Sequence, residues 1–212
     1  PFMLLRYVYV GFSSIKKGYV DTINAFSSAL EAKDDYTNGH SQRVSTYCSW
    51  ICEELNLSRD RTRSLYYASL LHDIGKIGIP EAILNKRDRL TDDEMSTIKR
   101  HPEIGAQMLG NIAFLHREVK MIRAHHVGYD GSGYPANALE ESRLLETQIL
   151  CVADSFDAMT SDRAYRSAMP LELAIEELYR CSGTQFSPEV VEALIRALRR
   201  RQQQGRLEAL KV

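Results

Sequence analysis

Five of the six histidines in this chain stand where helical periodicity aims them into one interior, and this limits the fold more than any other feature. They are His40, His72, His101, His125 and His126; only His116 falls outside the set. Asp73, beside His72, and Asp154, among apolar neighbours on a helix, join them on the same grounds. Without partners, each buried imidazole or carboxylate costs several kcal/mol in lost hydration. A fold that gathers all seven must give them a common partner.

The pattern around them is helical. Ile15, Tyr19, Ile23, Phe26 and Leu30 repeat at helical spacing and predict an N-terminal amphipathic helix. Helices are predicted from about 40 to 55 and from 61 to 73, the second ending where Gly75 and Gly78 break the pattern. Thr91 and Glu94 form a capping box, and the helix after it carries Met95, Ile98 and His101 on one side. Leu115, Val119, Ile122 and His126 share the next face, which fails at Gly128. Further helices are expected from about 144, after Pro170, and from Ser187-Pro188, with Ser as N-cap and Pro at the first position. No strand, repeat or low-complexity linker stands out. The expected fold is all-α, a helical bundle.

A formal net charge of -1 gives no global basic field, so DNA or RNA is not expected as a partner. The run Arg196, Arg199, Arg200, Arg201 reads as a solvated helix face. Cys48, Cys52, Cys151 and Cys181 form no C-x-x-C pair; they fit a reduced, cytoplasmic compartment. No stretch is apolar enough to span a membrane. The chain opens on Pro1 with an apolar, aromatic stretch, which suggests a fragment whose upstream region, membrane-anchored or not, has been removed.

Neutral imidazole and carboxylate suit first-row divalent ions: iron or manganese foremost, nickel or zinc also. Seven ligands exceed what one tetrahedral ion takes. Two ions sharing Asp73 account for the count, His40, His72 and Asp154 serving one, His101, His125 and His126 the other. Paired ions suit phosphoester hydrolysis, because they lower the pKa of a bridging water and stabilise the phosphate oxygens. Lys76, one turn beyond His72, reaches the same cavity, to neutralise a phosphate oxygen or protonate a leaving one.

The run His72-Asp73-Ile74-Gly75-Lys76 resembles the signature of HD-domain phosphohydrolases. His125-His126, then Asp130-Gly131-Ser132-Gly133-Tyr134-Pro135, then Val152-Ala153-Asp154-Ser155-Phe156-Asp157 follow in the order of the HD-GYP subclass. The resemblance covers about 34 to 190. It implies an HD-type bundle and hydrolysis of cyclic di-GMP to pGpG or GMP, and it places metal ligands on the same seven residues. It places substrate contacts on Lys76, Asp157, Arg163 and Arg166; both arginines follow Asp154 closely enough to fork onto phosphates. Tyr134 is expected at the pocket rim, its ring free for a guanine face.

Three departures stand out. Val127 follows the paired histidines where the family usually has Glu. Residues 137–145 lack the expected glycine and proline. Tyr36 occupies the position, four before His40, where some members carry a Glu that helps hold a third metal, so two ions are expected. Residues 1–32 are read as a linker or stalk, with a possible homodimer seam over 15–30, and 33–212 as the catalytic domain. An upstream sensory or receiver domain is expected. The alternatives are a degenerate domain that binds without turnover, and an HD phosphohydrolase for another nucleotide such as cyclic GMP-AMP.

Overall fold

The computed structural model describes residues 6, 18–30, 32–34, 39–162 and 167–205. Among these the architecture is helical, with only two isolated β-bridges, Val127 with Gly133 and Ser182 with Phe186. Helix α1 covers 18–30. Helices α2 (His40–Glu54) and α3 (Arg59–Leu71) lead into a 3-10 turn, Ile74–Gly78, and then α4 (Glu81–Leu84), α5 (Asp92–Ile98), α6 (His101–Leu109) and α7 (His116–Ala124). After a loop come α8 (Leu139–Ser142), α9 (Leu145–Thr160), α10 (Leu171–Arg180) and α11 (Pro188–Gln203).

The core lies where α2 packs on α3, α9 and α11, while α7 packs on α3, α6 and α9. Helix α9 runs through it: Ile149, Leu150, Val152 and Phe156 are all buried. Each such side chain stabilises the fold by about 1.5–3 kcal/mol on burial, so α9 is a rigid support for Asp154 and Asp157. Buried Glu146 accepts from Arg61 at 2.8 and 2.9 Å and from Arg117 at 2.5 Å, linking α9 to α3 and α7. The four cysteines are buried and free.

Several elements differ from the sequence expectation. Helix α5 stops at Ile98, and His101 opens a new helix, because Pro102 restarts the chain at the first turn of α6. Helix α7 ends at Ala124, with His125 as its C-cap and His126 beyond it. Ser187 caps α11 with backbone geometry but without a side-chain hydrogen bond. The basic run is not simply solvated. Arg200 meets Glu54 at 2.8 Å, Arg201 meets Glu53 at 2.7 Å, and the Arg201 guanidinium lies 4.2 Å from the Trp50 ring centre.

Helix α1 buries Ile23, Ser27 and Leu30, and Ile23 joins the main core. Tyr19 and Phe26 flank this buried stripe and are 46% and 47% exposed, with the Tyr19 ring against Phe114. Ile15 lies outside the described residues. Among the described residues, no helix is long and apolar enough to cross a membrane.

Candidate metal centre

All seven sequence-selected ligands converge. His40, His72 and Asp73 form one compact group, His101, His125 and His126 another, and His72, His125 and Asp154 a third between them. The closest approaches are 3.3 Å between His40 Nε2 and Asp154 Oδ1, 3.3 Å between the Nε2 atoms of His40 and His72, and 3.4 Å between those of His101 and His125. Ligand atoms ~2.0–2.2 Å from one ion stand roughly 3.0–3.4 Å apart at right-angled or tetrahedral spacing. The donor set therefore fits divalent ions. The two oxygens of Asp73 face different groups. Oδ1 lies 3.3 Å from His101 Nε2; Oδ2 lies 3.6 Å from His72 and 4.0 Å from His40.

Helix ends aim the imidazoles. His72 and His125 are the C-caps of α3 and α7, and each places Nδ1 against the carbonyl three residues back, Ser69 at 2.8 Å and Ile122 at 2.7 Å. His101 does the same to Ile98, the last residue of α5, at 2.9 Å. These are carbonyls that a helix leaves without an intrahelical donor. A carbonyl only accepts, so Nδ1 carries the hydrogen and Nε2 presents its lone pair to the centre. His126 has no such bond among the described residues. It is held by ring contacts, 4.8 Å to Tyr134 and 4.0 Å to His125. Val127, where the family usually has Glu, is buried with Ala124 and Ala138 and offers no polar partner.

Two glycines make the convergence possible. A Cβ on Gly75 would stand 1.9 Å from the His101 carbonyl oxygen, so only glycine lets the turn bearing Asp73 meet α6. Gly133, at φ +96, would place a Cβ 2.2 Å from the His126 carbonyl oxygen. That close approach lets Tyr134 N–H donate to the same carbonyl and lays its ring over His126.

The charges are balanced inside the cluster. Burial opposes ionisation of Asp73, but Lys76 and the surrounding histidines outweigh it and hold its carboxyl well below the usual range. Burial likewise disfavours charge on His40, yet Asp154 and Asp157 prevail and raise it to about 9. Burial, aided by the neighbouring His126 and Lys76, drives His101 down to about 4. His40 would have to give up its Nε2 proton to serve as a ligand, so metal binding there would be coupled to proton release.

Lys76 Nζ sits between Asp73 Oδ2 at 2.7 Å and Asp34 Oδ2 at 3.0 Å. Asp34, buried at 2% exposure, was not singled out by the sequence pattern. Asp157 is used differently from the substrate contact that the resemblance implies. It is 1% exposed; Oδ2 accepts from His40 Nδ1 at 2.7 Å, and Arg43 donates to Oδ1 at 2.7 Å and to Oδ2 at 3.0 Å. It stands behind His40 and orients its ring. Arg43 is a second residue that sequence reasoning missed; its one signal is a place three residues after His40. Arg163, Arg166 and Tyr36 lie outside the described residues.

Partners that orient ligating histidines typically govern affinity by about 10–100-fold. Asp157→Asn is accordingly expected to weaken metal binding by about that factor while leaving the helices intact. Competition with a calibrated chelator measures it; wild-type affinity would show that the contact does not orient His40.

A sequence model of the HD domain family matches residues 24–190. The cyclic di-GMP phosphodiesterase response regulator RpfG of Xanthomonas campestris is 39% identical over 178 residues, covering 83% of this chain and 47% of RpfG. The 3'3'-cGAMP-specific phosphodiesterase 3 of Vibrio cholerae is 37% identical over 176 residues, covering 83% of this chain and 38% of that protein. The chain thus spans half or less of the length of these relatives. Bd1817, an HDG"Y"P protein from Bdellovibrio bacteriovorus, shares the fold, with a TM-score of 0.61 at 21% identity over 76% of this chain and 51% of that one. By the family match and by the motifs gathered at one centre, the chain belongs to the HD domain family and is of its HD-GYP type.

Proposed function

We propose that this chain is a metal-dependent phosphodiesterase that hydrolyses cyclic di-GMP to pGpG, GMP or both. The convergence of six nitrogen and oxygen ligands around a shared Asp73 carries the reading. In it, His40, His72 and Asp154 hold one ion and His101, His125 and His126 a second. The absence of thiolate favours iron or manganese, with nickel or zinc also compatible. Bound there, the ions supply Lewis acidity at phosphate oxygens and a more acidic water. Two ions rather than three are proposed, because a third needs a further anionic ligand and Tyr36 is a neutral phenol.

The chain's own groups do the rest. Lys76 brings an ammonium to the phosphate, and Tyr134, ringed by His126 and His101, offers a face at the rim for a guanine. Arg163 and Arg166 are proposed to grip phosphate oxygens. Replacing each by Ala is expected to cost on the order of 1.5–3 kcal/mol in substrate affinity with metal content unchanged. Calorimetry on an inactive background reads this, and unchanged affinity in both would remove them from the site.

A second reading, 3'3'-cGAMP as substrate, is supported by the relative from Vibrio cholerae named for that activity. Reconstituted protein offered each cyclic dinucleotide separately, with products followed by mass spectrometry, tests the proposal. Faster loss of cyclic di-GMP is expected; turnover of cGAMP alone would favour the second reading, and turnover of neither would defeat both. A domain that only binds is not favoured, since the ligand set is complete.

The division into 1–32 and 33–212, a dimer through residues 15–30, a regulatory domain upstream and a cytoplasmic site of action belong to the same proposal. Tyr19 and Phe26, seven residues apart on α1 and both exposed, support the dimer seam. RpfG, named as a response regulator, supports the upstream domain.

A further inference from the structure

The turn that carries Lys76 is seated on α6 at its start, where Ile74 is buried in the core and Gly75 packs on the His101 carbonyl, but its far end has little of its own to hold it. It is a single 3-10 segment, a form with weaker hydrogen bonding than an α-helix. Gly75 and Gly78 remove two side chains that could anchor it, and Ile77 is 40% exposed. The Lys76 carbonyl accepts from the Ile79 N–H at 3.0 Å, closing the turn. Yet Lys76 has to be aimed accurately, because its ammonium sits within hydrogen-bond reach of Asp73.

A clamp on that far end comes from 43 residues earlier in the chain. Lys33 Nζ donates to the carbonyls of Ile77 at 2.6 Å and Ile79 at 2.8 Å, and approaches that of Lys76 at 3.4 Å. An ammonium has three donors and no acceptor, so three converging carbonyls at the negative end of a helical turn match it fully. Lys33 is itself fixed. Its N–H and that of Asp34 donate to the Leu30 carbonyl, and Asn85 Nδ2 donates to the Lys33 carbonyl at 3.0 Å. Leu30 is the buried last residue of α1. The next residue, Asp34, meets Lys76 Nζ directly.

We propose that Lys33 is a positioning residue for Lys76: docked on the carbonyls of the 74–78 turn and of Ile79, its ammonium fixes that turn and ties the aim of Lys76 to the seating of α1. A shift of α1 then reaches the catalytic turn through Lys33, beside the direct contact of Asp34 with Lys76. The proposal rests on the reading that Lys76 acts on the bound phosphate.

Two measurements on the full chain test it. Lys33→Met is expected to speed amide exchange in a peptide covering 76–84 by about tenfold or more. It is also expected to lower kcat/KM on cyclic di-GMP by about tenfold or more, with metal content unchanged. In a Lys76→Met background the same substitution should add less than about twofold, since a residue that acts through Lys76 has nothing left to position. Equal losses in both backgrounds, or wild-type exchange in 76–84, would overturn the proposal. Exchange needs no substrate, so failure of the clamp and failure of the proposed activity show separately. If Lys33→Met does not fold, Lys33→Arg serves. Its planar guanidinium keeps the charge but cannot converge three donors on these carbonyls, and faster exchange with a loss confined to the Lys76 background is again required.

Discussion

Replacing Asp73 by Ala is expected to remove metal binding and hydrolysis together. Its Oδ1 faces His101 at 3.3 Å, and its Oδ2 faces His72 at 3.6 Å and Lys76 at 2.7 Å. One carboxylate therefore serves both groups of histidines, and its loss depletes both at once. Removing one electrostatic stabiliser of a transition state typically costs about 10²–10³ in rate; losing both ions should exceed that. Elemental analysis beside a turnover assay measures the effect, with circular dichroism confirming that the helices persist. Purified variant holding two ions and turning over normally would refute the assignment.

Lys76→Met should have the next largest effect, with a different signature. Burial works against the ammonium, but Asp73 and Asp34 overcome it and raise its pKa above the usual lysine range. Its place between two carboxylates, 2.7 Å from Asp73 and 3.0 Å from Asp34, fits a charged group set to meet a phosphate oxygen. Methionine keeps the apolar stem and removes the charge. A fall in kcat/KM of about 10²–10³ is expected, with metal content retained and no new pH dependence between neutral and mildly alkaline conditions. Activity within about twofold of wild type would exclude Lys76 from the reaction.

The cluster was legible in the sequence because a buried imidazole has so few alternatives. Periodicity placed His40, His72, His101, His125, His126 and Asp154 on inward faces, and the structure brings them to one centre. What orients them was not legible. The carbonyls of Ser69, Ile98 and Ile122 carry no residue-type signal, since any residue has one. Arg43 and Asp157 lie 114 residues apart, so neither reads as more than a charged residue until α2 and α9 pack together. Lys33 was invisible for the same reason: a lysine beyond a helix end is ordinarily solvated. Helices α5 and α6 were drawn as one, because Met95, Ile98 and His101 keep helical spacing across a break that Pro102 imposes. The arginine run of α11 misled in the other direction, since its glutamate partners sit on α2.

Metal content and cyclic di-GMP turnover, measured on one preparation before and after reconstitution with iron or manganese, test the central claim most directly. The account predicts about two ions per chain, sharing Asp73, with pGpG or GMP appearing only when they are bound. Protein that carries both ions and leaves cyclic dinucleotides intact, or that keeps hydrolysing them after complete metal removal, would contradict it.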